Sequence, residues 1–431
     1  MFRRATSTLI IVGAAVSACA ESPTQPSLAP AAVASKAAAL RWEAIRLANY
    51  RGEATAVNSK GQVIGFYSAP NGTRGFVWSN GDLRHVGTLG GTNARPLAIN
   101  DAGQVVGQSS IPGGLFHAFL WQKGVMRDLG TLGADQSFAT AIEPGGRIAG
   151  YTEGLEGTLA FIYENGTMKR LAGLDQGYSI AYDIDNMGRV TGVYGSPDAP
   201  RAFRWVAGRV RDLGSLGSGT ATGYALGPNG KVVGGTSSAA GAQRGFIWQN
   251  GNMTDLGDLG GGHAGARAIS GLQHVTGWSA SADGLRRSFL WKGGAMSPIG
   301  PGQGNGVNRD GWVAGILNIG GGEFPVLWRQ TSAPPPPPGV TLGTSFFYSE
   351  QNFSVDPAVD TVAVGQEVTW TWMSGPAVRH SVQSVGALSF PSSPLTGGVG
   401  ITHKVKFTAP GVYLYNCVAH PGNMKGRVVV R

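Results

Sequence analysis

The chain has 431 residues, of which 70 are Gly, and only 14% are charged while 42% are hydrophobic. The glycines do not recur at every third position, which excludes a collagen triple helix, and the apolar content excludes a disordered polar chain. The formal net charge of +9 comes without a run of Lys and Arg, so we expect no nucleic-acid partner. Low charge, abundant Gly and 11 Trp are typical of short strands joined by tight turns, which predicts an all-β protein of two or three domains.

The start of the chain has the pattern of an export signal. Two Arg precede an apolar stretch at residues 9–16 that is too short to span a bilayer as a permanent helix. The next residues, Val-Ser-Ala-Cys at 16–19, resemble a bacterial lipobox, in which the chain is cleaved before a Cys that then carries lipid. We predict a lipoprotein signal peptide at residues 1–18, lipidation of Cys19 and a flexible tether at residues 19–39. An ordinary secretory signal is the alternative.

These features lead us to expect a protein of the bacterial cell envelope that is anchored to a membrane by lipid and faces the periplasm or the cell surface. Removing residues 1–18 takes away two Arg and no acid, which leaves 32 basic and 25 acidic residues and a net charge of +7. The second Cys of the chain, Cys417, would then have no disulfide partner. A lone thiol is a liability in an oxidising compartment, which indicates that Cys417 is protected or used.

The middle of the chain consists of seven repeats. The tail of each repeat contains an aromatic triplet of the Phe-x-Trp type, and the last residues of successive triplets are 43, 42, 42, 43, 43 and 37 positions apart. The triplets are Phe76-Val77-Trp78, Phe119-Leu120-Trp121, Phe161-Ile162-Tyr163, Phe203-Arg204-Trp205, Phe246-Ile247-Trp248, Phe289-Leu290-Trp291 and Val326-Leu327-Trp328. A period near 42 residues is the length of a four-stranded propeller blade.

Each repeat supplies four strand-sized segments separated by Gly-rich turns. In the second repeat these segments are Pro96 to Asn100, Gln104 to Ser109, His117 to Trp121 and Val125 to Leu129. The last repeat stops without a fourth segment, whereas Leu40 to Leu47 has the pattern of a fourth strand with no repeat before it. An N-terminal strand that completes the last blade would close a ring, so we predict a seven-bladed β-propeller at residues 40–330. An open β-solenoid is the alternative.

The repeats resemble the bacterial extracellular HAF-type repeat, named for a His-Ala-Phe triplet, over roughly residues 50–330. His117-Ala118-Phe119 matches the triplet literally, whereas other copies carry Arg in place of the His. We interpret His117 as a strand residue rather than a ligand. A recurring Asp-Leu-Gly motif offers one carboxylate per repeat without a second oxygen ligand nearby, which favours turn or surface roles over calcium binding. The motif begins at Asp128, Asp212 and Asp255.

The composition changes after the last repeat. Five consecutive prolines, Pro334 to Pro338, predict a stiff polyproline spacer of about 15 Å within a linker at residues 331–339. Residues 340–431 show no trace of the repeat and contain alternating strand patterns such as Glu367 to Trp372 and Gly411 to Cys417. These patterns predict a small Greek-key β-sandwich as the last domain.

Four residues of this last domain form a metal-binding pattern. Cys417, His420 and Met424 follow one another as Cys-x2-His-x3-Met, and His380 lies 37 residues before the Cys. A thiolate, two imidazoles and a weak thioether are the ligands of a blue-copper electron-transfer site. A short loop can turn three of them toward one point while His380 comes from a neighbouring strand, so we predict one type 1 copper ion here. His403 lies outside the motif and is interpreted as a surface strand residue.

The sequence around these ligands resembles the plastocyanin and amicyanin branch of the cupredoxins, over essentially the whole last domain. Counterparts in that family exist for Val368-Thr369-Trp370, Arg379-His380-Ser381-Val382 and Tyr413 to Cys417. The resemblance implies a cupredoxin fold and assigns the four ligand roles to His380, Cys417, His420 and Met424. Plastocyanins usually have four residues between the second His and the Met and amicyanins have two, whereas this chain has three, so geometry and potential do not carry over. A copper-free sandwich and a zinc site are the alternatives, although zinc prefers firmer ligands than a thioether.

The predicted function is one-electron transfer to or from a redox partner protein, with the propeller as a scaffold or docking platform. The alternative is a cell-surface adhesion or carbohydrate-binding protein, in which the propeller binds the ligand and copper is structural or stored. We do not expect an enzyme. A nitrous oxide reductase would need a His-rich copper cluster in the propeller and a second Cys in the ligand loop, and a multicopper oxidase would need His-x-His pairs; the sequence has none of these.

Overall fold

The computed structural model of the protein describes residues 41–175, 177–331, 339–342, 347–349, 357–372, 378–398, 400–422 and 424–431. The predicted signal peptide, Cys19, the tether and residues 332–338 of the predicted linker lie outside the described residues. Within the described ranges the chain is all-β, with one 3₁₀ turn at Pro228–Gly230 and no α-helix. No helix of this part of the chain is long and apolar enough to cross a membrane.

The repeats form four-stranded antiparallel units, each built from consecutive strands. The first five units are separate sheets. Their strands are β2 Gly52–Val57, β3 Val63–Ala69, β4 Gly72–Ser79 and β5 Asp82–His85; β6 Ala94–Ile99, β7 Val105–Ser110, β8 Phe116–Gln122 and β9 Val125–Asp128; β10 Gln136–Ile142, β11 Ile148–Gly154, β12 Gly157–Glu164 and β13 Thr167–Arg170; β14 Tyr178–Ile184, β15 Val190–Gly195, β16 Pro200–Val206 and β17 Arg209–Asp212; β18 Gly217–Leu226, β19 Val232–Ser238, β20 Gln243–Gln249 and β21 Asn252–Asp255. The four segments predicted for the second repeat match β6 to β9 to within two residues at each end.

The sixth and seventh units share one long strand and therefore form a seven-stranded sheet. The shared strand is β25 (Ala295–Val307). Its first half pairs with β24 (Arg286–Lys292) and its second half with β26 (Val313–Ile319). The strands are β1 Arg41–Arg46, β22 Gly260–Ile269, β23 Val275–Ser281, β24 Arg286–Lys292, β25 Ala295–Val307, β26 Val313–Ile319 and β27 Gly322–Thr331. The N-terminal strand β1 pairs antiparallel with β27, from Arg41 opposite Thr331 to Arg46 opposite Val326. It occupies the fourth-strand position that the last repeat lacks.

The first strand of every unit carries a β-bulge at the same place, which the alternation of apolar residues does not predict. A bulge leaves one residue out of the ladder and redirects its side chain. The bulged residues are Thr55, Leu97, Thr140, Tyr182, Tyr224, Arg267 and Asn305. Several of them reach the next unit: the Thr55 hydroxyl donates to the carbonyl of Pro96 (2.9 Å), and the rings of Tyr182 and Tyr224 lie 5.3 Å apart.

Buried Asn side chains in the turns after the first strands link neighbouring units. The Oδ1 of Asn58 accepts backbone N–H groups of its own turn, and its Nδ2 donates to the carbonyl of Asn100 (3.1 Å). The Nδ2 of Asn100 donates in turn to the carbonyl of Glu143 (3.2 Å). In the seventh unit, the Nδ2 of Asn308 donates to the carbonyl of Asn58 (3.2 Å). The turn of the last unit is thus bonded to the turn of the first.

The residue two positions before the Phe of the aromatic triplet pairs with the Asp of the following strand in three of the units. The Nδ1 of His117 lies 2.7 Å from Oδ2 of Asp128, whose Oδ1 accepts the N–H of Gly130 (2.7 Å). The same arrangement joins Arg201 to Asp212 and Arg244 to Asp255. His117 is therefore a strand residue, and these Asp side chains cap turns and contact a His or Arg side chain of the preceding strand.

The described residues of the last domain form two four-stranded sheets with both parallel and antiparallel pairs. One sheet has the order β29-β28-β31-β33 and the other β30-β35-β34-β32. The strands are β28 Gly339–Leu342, β29 Phe347–Ser349, β30 Ala358–Val362, β31 Glu367–Trp372, β32 Gln383–Val385, β33 Thr402–Lys406, β34 Gly411–Asn416 and β35 Lys425–Val430. Their inward side chains form one apolar core that is rich in aromatic rings and includes Cys417 and Met424. The two residues are therefore placed at the edge of a rigid, water-poor interior.

Candidate metal centre

The loop between β34 and β35 holds three of the four predicted ligands. Cys417 follows the last residue of β34, and Met424 precedes the first residue of β35. Three backbone hydrogen bonds define the loop: His420 N–H to the Cys417 carbonyl (3.1 Å), Met424 N–H to the His420 carbonyl (3.0 Å) and Cys417 N–H to the Met424 carbonyl (3.2 Å). Each bond joins two of the three residues, so the loop backbone fixes their relative positions. Asn423, between them, lies outside the described residues.

His380 reaches this loop from another part of the domain. It forms an isolated β-bridge with Thr396, in which His380 N–H donates to the Thr396 carbonyl (2.7 Å) and Thr396 N–H donates to the His380 carbonyl (2.9 Å). The indole Nε1 of Trp372 donates to the same His380 carbonyl (3.2 Å). The backbone of His380 is therefore held from two sides, and its ring is fully buried.

The donor atoms of Cys417, His380 and His420 converge on one point. The Sγ of Cys417 lies 3.7 Å from Nδ1 of His380 and 3.8 Å from Nδ1 of His420, and one ligand atom from each residue lies within 4.8 Å of the others. With metal–nitrogen bonds of about 2.0 Å and metal–sulfur bonds of about 2.3 Å, two ligands 120° apart place their donor atoms roughly 3.7 Å from each other. The two sulfur–nitrogen distances fit donors that share one metal ion.

The burial of three of the four predicted ligands favours the neutral imidazole that a metal binds. His380, Cys417 and Met424 are fully buried, whereas His420 is partly exposed. Burial, together with the nearby His420, lowers the pKa of His380. A lowered pKa keeps the imidazole neutral, which is the form that binds a metal.

The chemistry of the donor set distinguishes copper from zinc. A thiolate and a thioether are soft ligands, and two imidazoles with a Cys in a trigonal arrangement and a Met nearby suit copper. A structural zinc site needs four firm ligands. The cluster found in the described part of the chain offers three, two His and one Cys. Copper is the cofactor that this site fits.

The family comparison agrees with this geometry. Residues 343–431 match the model of the copper binding proteins of the plastocyanin/azurin family. The last domain is a cupredoxin. This match covers about a fifth of the chain and leaves the repeats unassigned.

Solved cupredoxin structures are similar to the same part of the chain. A reduced Trp-to-Tyr mutant of amicyanin is 26% identical, with 22% of this chain and 80% of that chain covered and a TM-score of 0.18. An oxidised Met-to-Leu mutant of amicyanin is 28% identical, with the same coverage and a TM-score of 0.17. A novel purple cupredoxin from Nitrosopumilus maritimus is 25% identical, with 22% of this chain and 98% of that chain covered and a TM-score of 0.17. No curated protein matches the chain.

Two further residues of the cupredoxin domain bear on the metal centre: His403 lies outside it, and Ser381 supports it although the sequence pattern did not indicate this. His403 lies in β33, where its Nε2 is 2.8 Å from the carbonyl of Pro391. Ser381 was not singled out from the sequence, yet its Oγ accepts the N–H of Val418 (3.1 Å) and so ties the His380 segment to the Cys417 loop. Ser381 and Val418 are 37 residues apart, as are His380 and Cys417, and each lies directly after a ligand. Their positions beside the ligands were the signal that the sequence offered.

Replacing Ser381 by Ala is expected to make the metal centre less rigid without abolishing copper binding. The Val418 N–H would lose its protein acceptor, which costs about 1 kcal/mol in the free energy of unfolding and relaxes the position of Cys417. Urea unfolding and the visible spectrum of the copper-loaded chain measure the two effects. Ser392→Ala is the matched control, because its Oγ accepts the N–H of Ser384 (3.0 Å), outside the ligand loop. Equal spectra for the Ser381 variant and the native protein would contradict this role.

Proposed function

We propose that this protein is a one-electron carrier, in which a single type 1 copper ion is held by His380, Cys417, His420 and Met424. The observation that carries the proposal is the convergence of one sulfur and two nitrogen donors in a cupredoxin domain. When bound, copper supplies a one-electron couple. The backbone bonds of the loop and of His380 hold the ligands in one arrangement for both oxidation states, which lowers the reorganisation that accompanies electron transfer.

The route for the electron is proposed to pass through His420. Three of the four ligands are fully buried, so His420 is the ligand side chain that a partner protein can approach. Its neighbours Val418 and Pro421 are exposed and uncharged. Apolar contacts around His420 would exclude water from the path between the two centres, which suits a small, transient redox complex.

Copper loading of the full chain tests the proposal. We expect one copper ion per chain, an intense visible absorption from the Cys417 thiolate, and a reversible titration that consumes one electron. His403→Ala serves as a control, since this His lies outside the centre and its removal should change none of these properties. A colourless protein that takes up no copper would overturn the proposal. Bound copper that cannot be reduced reversibly would instead favour the structural or storage role.

We further propose that residues 40–330 form a closed seven-bladed β-propeller that serves as a scaffold or docking platform. Three observations support closure: the seven repeated units, the pairing of β1 with β27, and the packing of β2 against β25, β26 and β27. The bond from Asn308 to Asn58 adds a polar link between the last unit and the first. A closed ring lets the terminal units pack against each other and leaves only short strand edges.

The cellular setting is a proposal that rests on the sequence. The lipobox-like residues 16–19 support lipidation at Cys19 and attachment to a membrane of the bacterial envelope, in the periplasm or at the cell surface. We propose a redox partner protein in that compartment, no nucleic-acid partner and no enzymatic activity. Mass spectrometry of the protein from membranes would show the lipid at Cys19, and an unmodified Cys19 would favour an ordinary secretory signal.

A further inference from the structure

A cavity of about 420 Å³ lies between the fifth unit (β18–β21) and the sixth unit (β22–β25) of the repeat region. Its walls include the bulged residues Tyr224 and Arg267 from the first strands of the two units, together with Trp278 from β23 and Arg286 from β24. Binding pockets for small molecules are typically about 300–1,000 Å³. The cavity therefore has room for a small ligand.

Aromatic rings hold the two guanidinium groups of this cavity in place. The Cζ of Arg267 lies 4.3 Å from the ring centroid of Tyr224, and the Cζ of Arg286 lies 4.3 Å from that of Trp278. The indole in turn packs on Gly265, where an added Cβ would lie 2.8 Å from its Nε1. Stacking covers a face of each guanidinium and leaves the N–H groups at its edges available as donors.

Neither of these two Arg forms an ion pair within the described part of the chain, although Glu53 interacts with Arg267 and Glu323 with Arg286 at longer range. No carboxylate oxygen of the described residues lies within 4.0 Å of Arg267 or Arg286, and the hydrogen bond of Arg286 goes to the uncharged Oε1 of Gln303. Arg244, which also lines the cavity, differs in this respect, because it is paired with Asp255 and Asp258 at 2.7 Å each. Partial loss of solvent around its side chain and the neighbouring Arg267 lower the pKa of Arg286, whereas the more distant Glu323 raises it, so the two positive charges lie close enough to repel each other. An anion between them would relieve this repulsion.

The bulges concentrate large side chains on this side of the repeat region. Tyr182, Tyr224 and Arg267 occupy the bulge positions of the fourth, fifth and sixth units, whereas Thr, Leu or Asn occupies the other four. Bulges are common next to functional sites because they redirect side chains.

We propose that this cavity binds a small molecule that bears a carboxylate or phosphate group, through the guanidinium groups of Arg267 and Arg286. The planar fork of Arg matches both anions in a bidentate manner. A carboxylate would come from an acidic sugar or organic acid, and a phosphate from a free or esterified phosphate. The site uses none of the copper ligands, so it is independent of electron transfer.

Isothermal titration calorimetry of the full chain with galacturonate, inorganic phosphate and neutral galactose tests the proposal. We expect saturable binding of at least one anion, a weaker affinity at high salt, and no binding of galactose. Heat with galacturonate alone would identify a carboxylate ligand, and heat with phosphate alone a phosphate ligand. Binding of galactose with the affinity of galacturonate, or no binding of either anion at millimolar concentration, would overturn the proposal.

The variants Arg267→Gln and Arg286→Gln are each expected to weaken anion binding tenfold or more. The matched control is Arg127→Gln, because Arg127 also stacks on a ring, with its Cζ 5.9 Å from the centroid of Tyr163, but lies outside the cavity. Arg286 is exposed, so its variant tests the site even if the Arg267 variant fails to fold. Anion binding that survives both substitutions would overturn the proposal. Because the readout is binding heat, it does not depend on copper loading.

Discussion

Replacing Cys417 by Ser is expected to abolish the intense visible absorption of the copper-loaded protein and to weaken copper binding by more than about a hundredfold. Even residues that only support metal ligands typically contribute 10–100-fold to affinity, and Cys417 supplies the sulfur on which both imidazoles converge. A Ser hydroxyl stays protonated at neutral pH and is a hard donor, so it cannot replace a soft thiolate. Absorption spectroscopy and a competition titration with a copper chelator measure the two losses.

The controls for this variant separate the loss of a ligand from damage to the fold. A buried hydroxyl costs about 1–3 kcal/mol in an apolar core, so the copper-free Cys417 variant should be somewhat less stable but still folded, which thermal unfolding of the copper-free protein would show. Met424→Leu keeps the shape of the core and removes only the thioether. We expect this variant to keep its copper and its colour while its potential changes. A Cys417→Ser protein with full colour would refute the assignment of the thiolate.

The metal centre could be predicted because its chemistry is local in the sequence. Cys417, His420 and Met424 lie within eight residues, and a soft thiolate, an imidazole and a soft thioether in that order are the ligands of a copper loop. The contribution of Ser381 could not be predicted, because its partner is a backbone N–H whose position depends on how closely two segments approach. Metal-binding side chains can be recognised in a sequence by residue type. A contact between a side chain and a backbone group can be recognised only once the fold is known.

In the repeats, too, the sequence predicts where the strands lie but not how their residues pair. The repeat period and the Gly-rich turns located the strands of the second repeat to within two residues at each end, since tight turns mark where strands end. They did not reveal the bulge at Leu97, because an unpaired residue changes the pairing of the strands rather than the composition. The cavity depends on such a bulge at Arg267 and on Arg286 from a strand two positions away in the sheet. Neither Arg differs from others in the sequence.

Deleting residues 41–46 is expected to destabilise the repeat region strongly while leaving the copper centre intact. The deletion removes strand β1, whose Trp42 and Ala44 pack against the core of the last unit, and it uncovers the edge of β27 beside the buried Trp328. Burying one large apolar side chain contributes about 1.5–3 kcal/mol, so the loss in unfolding free energy is on the order of 5 kcal/mol. The open edge should also promote association between chains.

Urea unfolding that is followed by tryptophan fluorescence and by copper absorption distinguishes the two parts of the chain. We expect the fluorescence transition to move to lower urea while the absorption transition stays in place. Glu43→Gln is the control, because it removes only the partly exposed pair with Arg329 and should cost less than about 1 kcal/mol. A synthetic peptide of residues 40–47 should restore part of the lost stability, since it can pair with the open edge of β27. If the deletion variant unfolds like the native chain, β1 does not close the repeat region, and an open array of sheets is the better description.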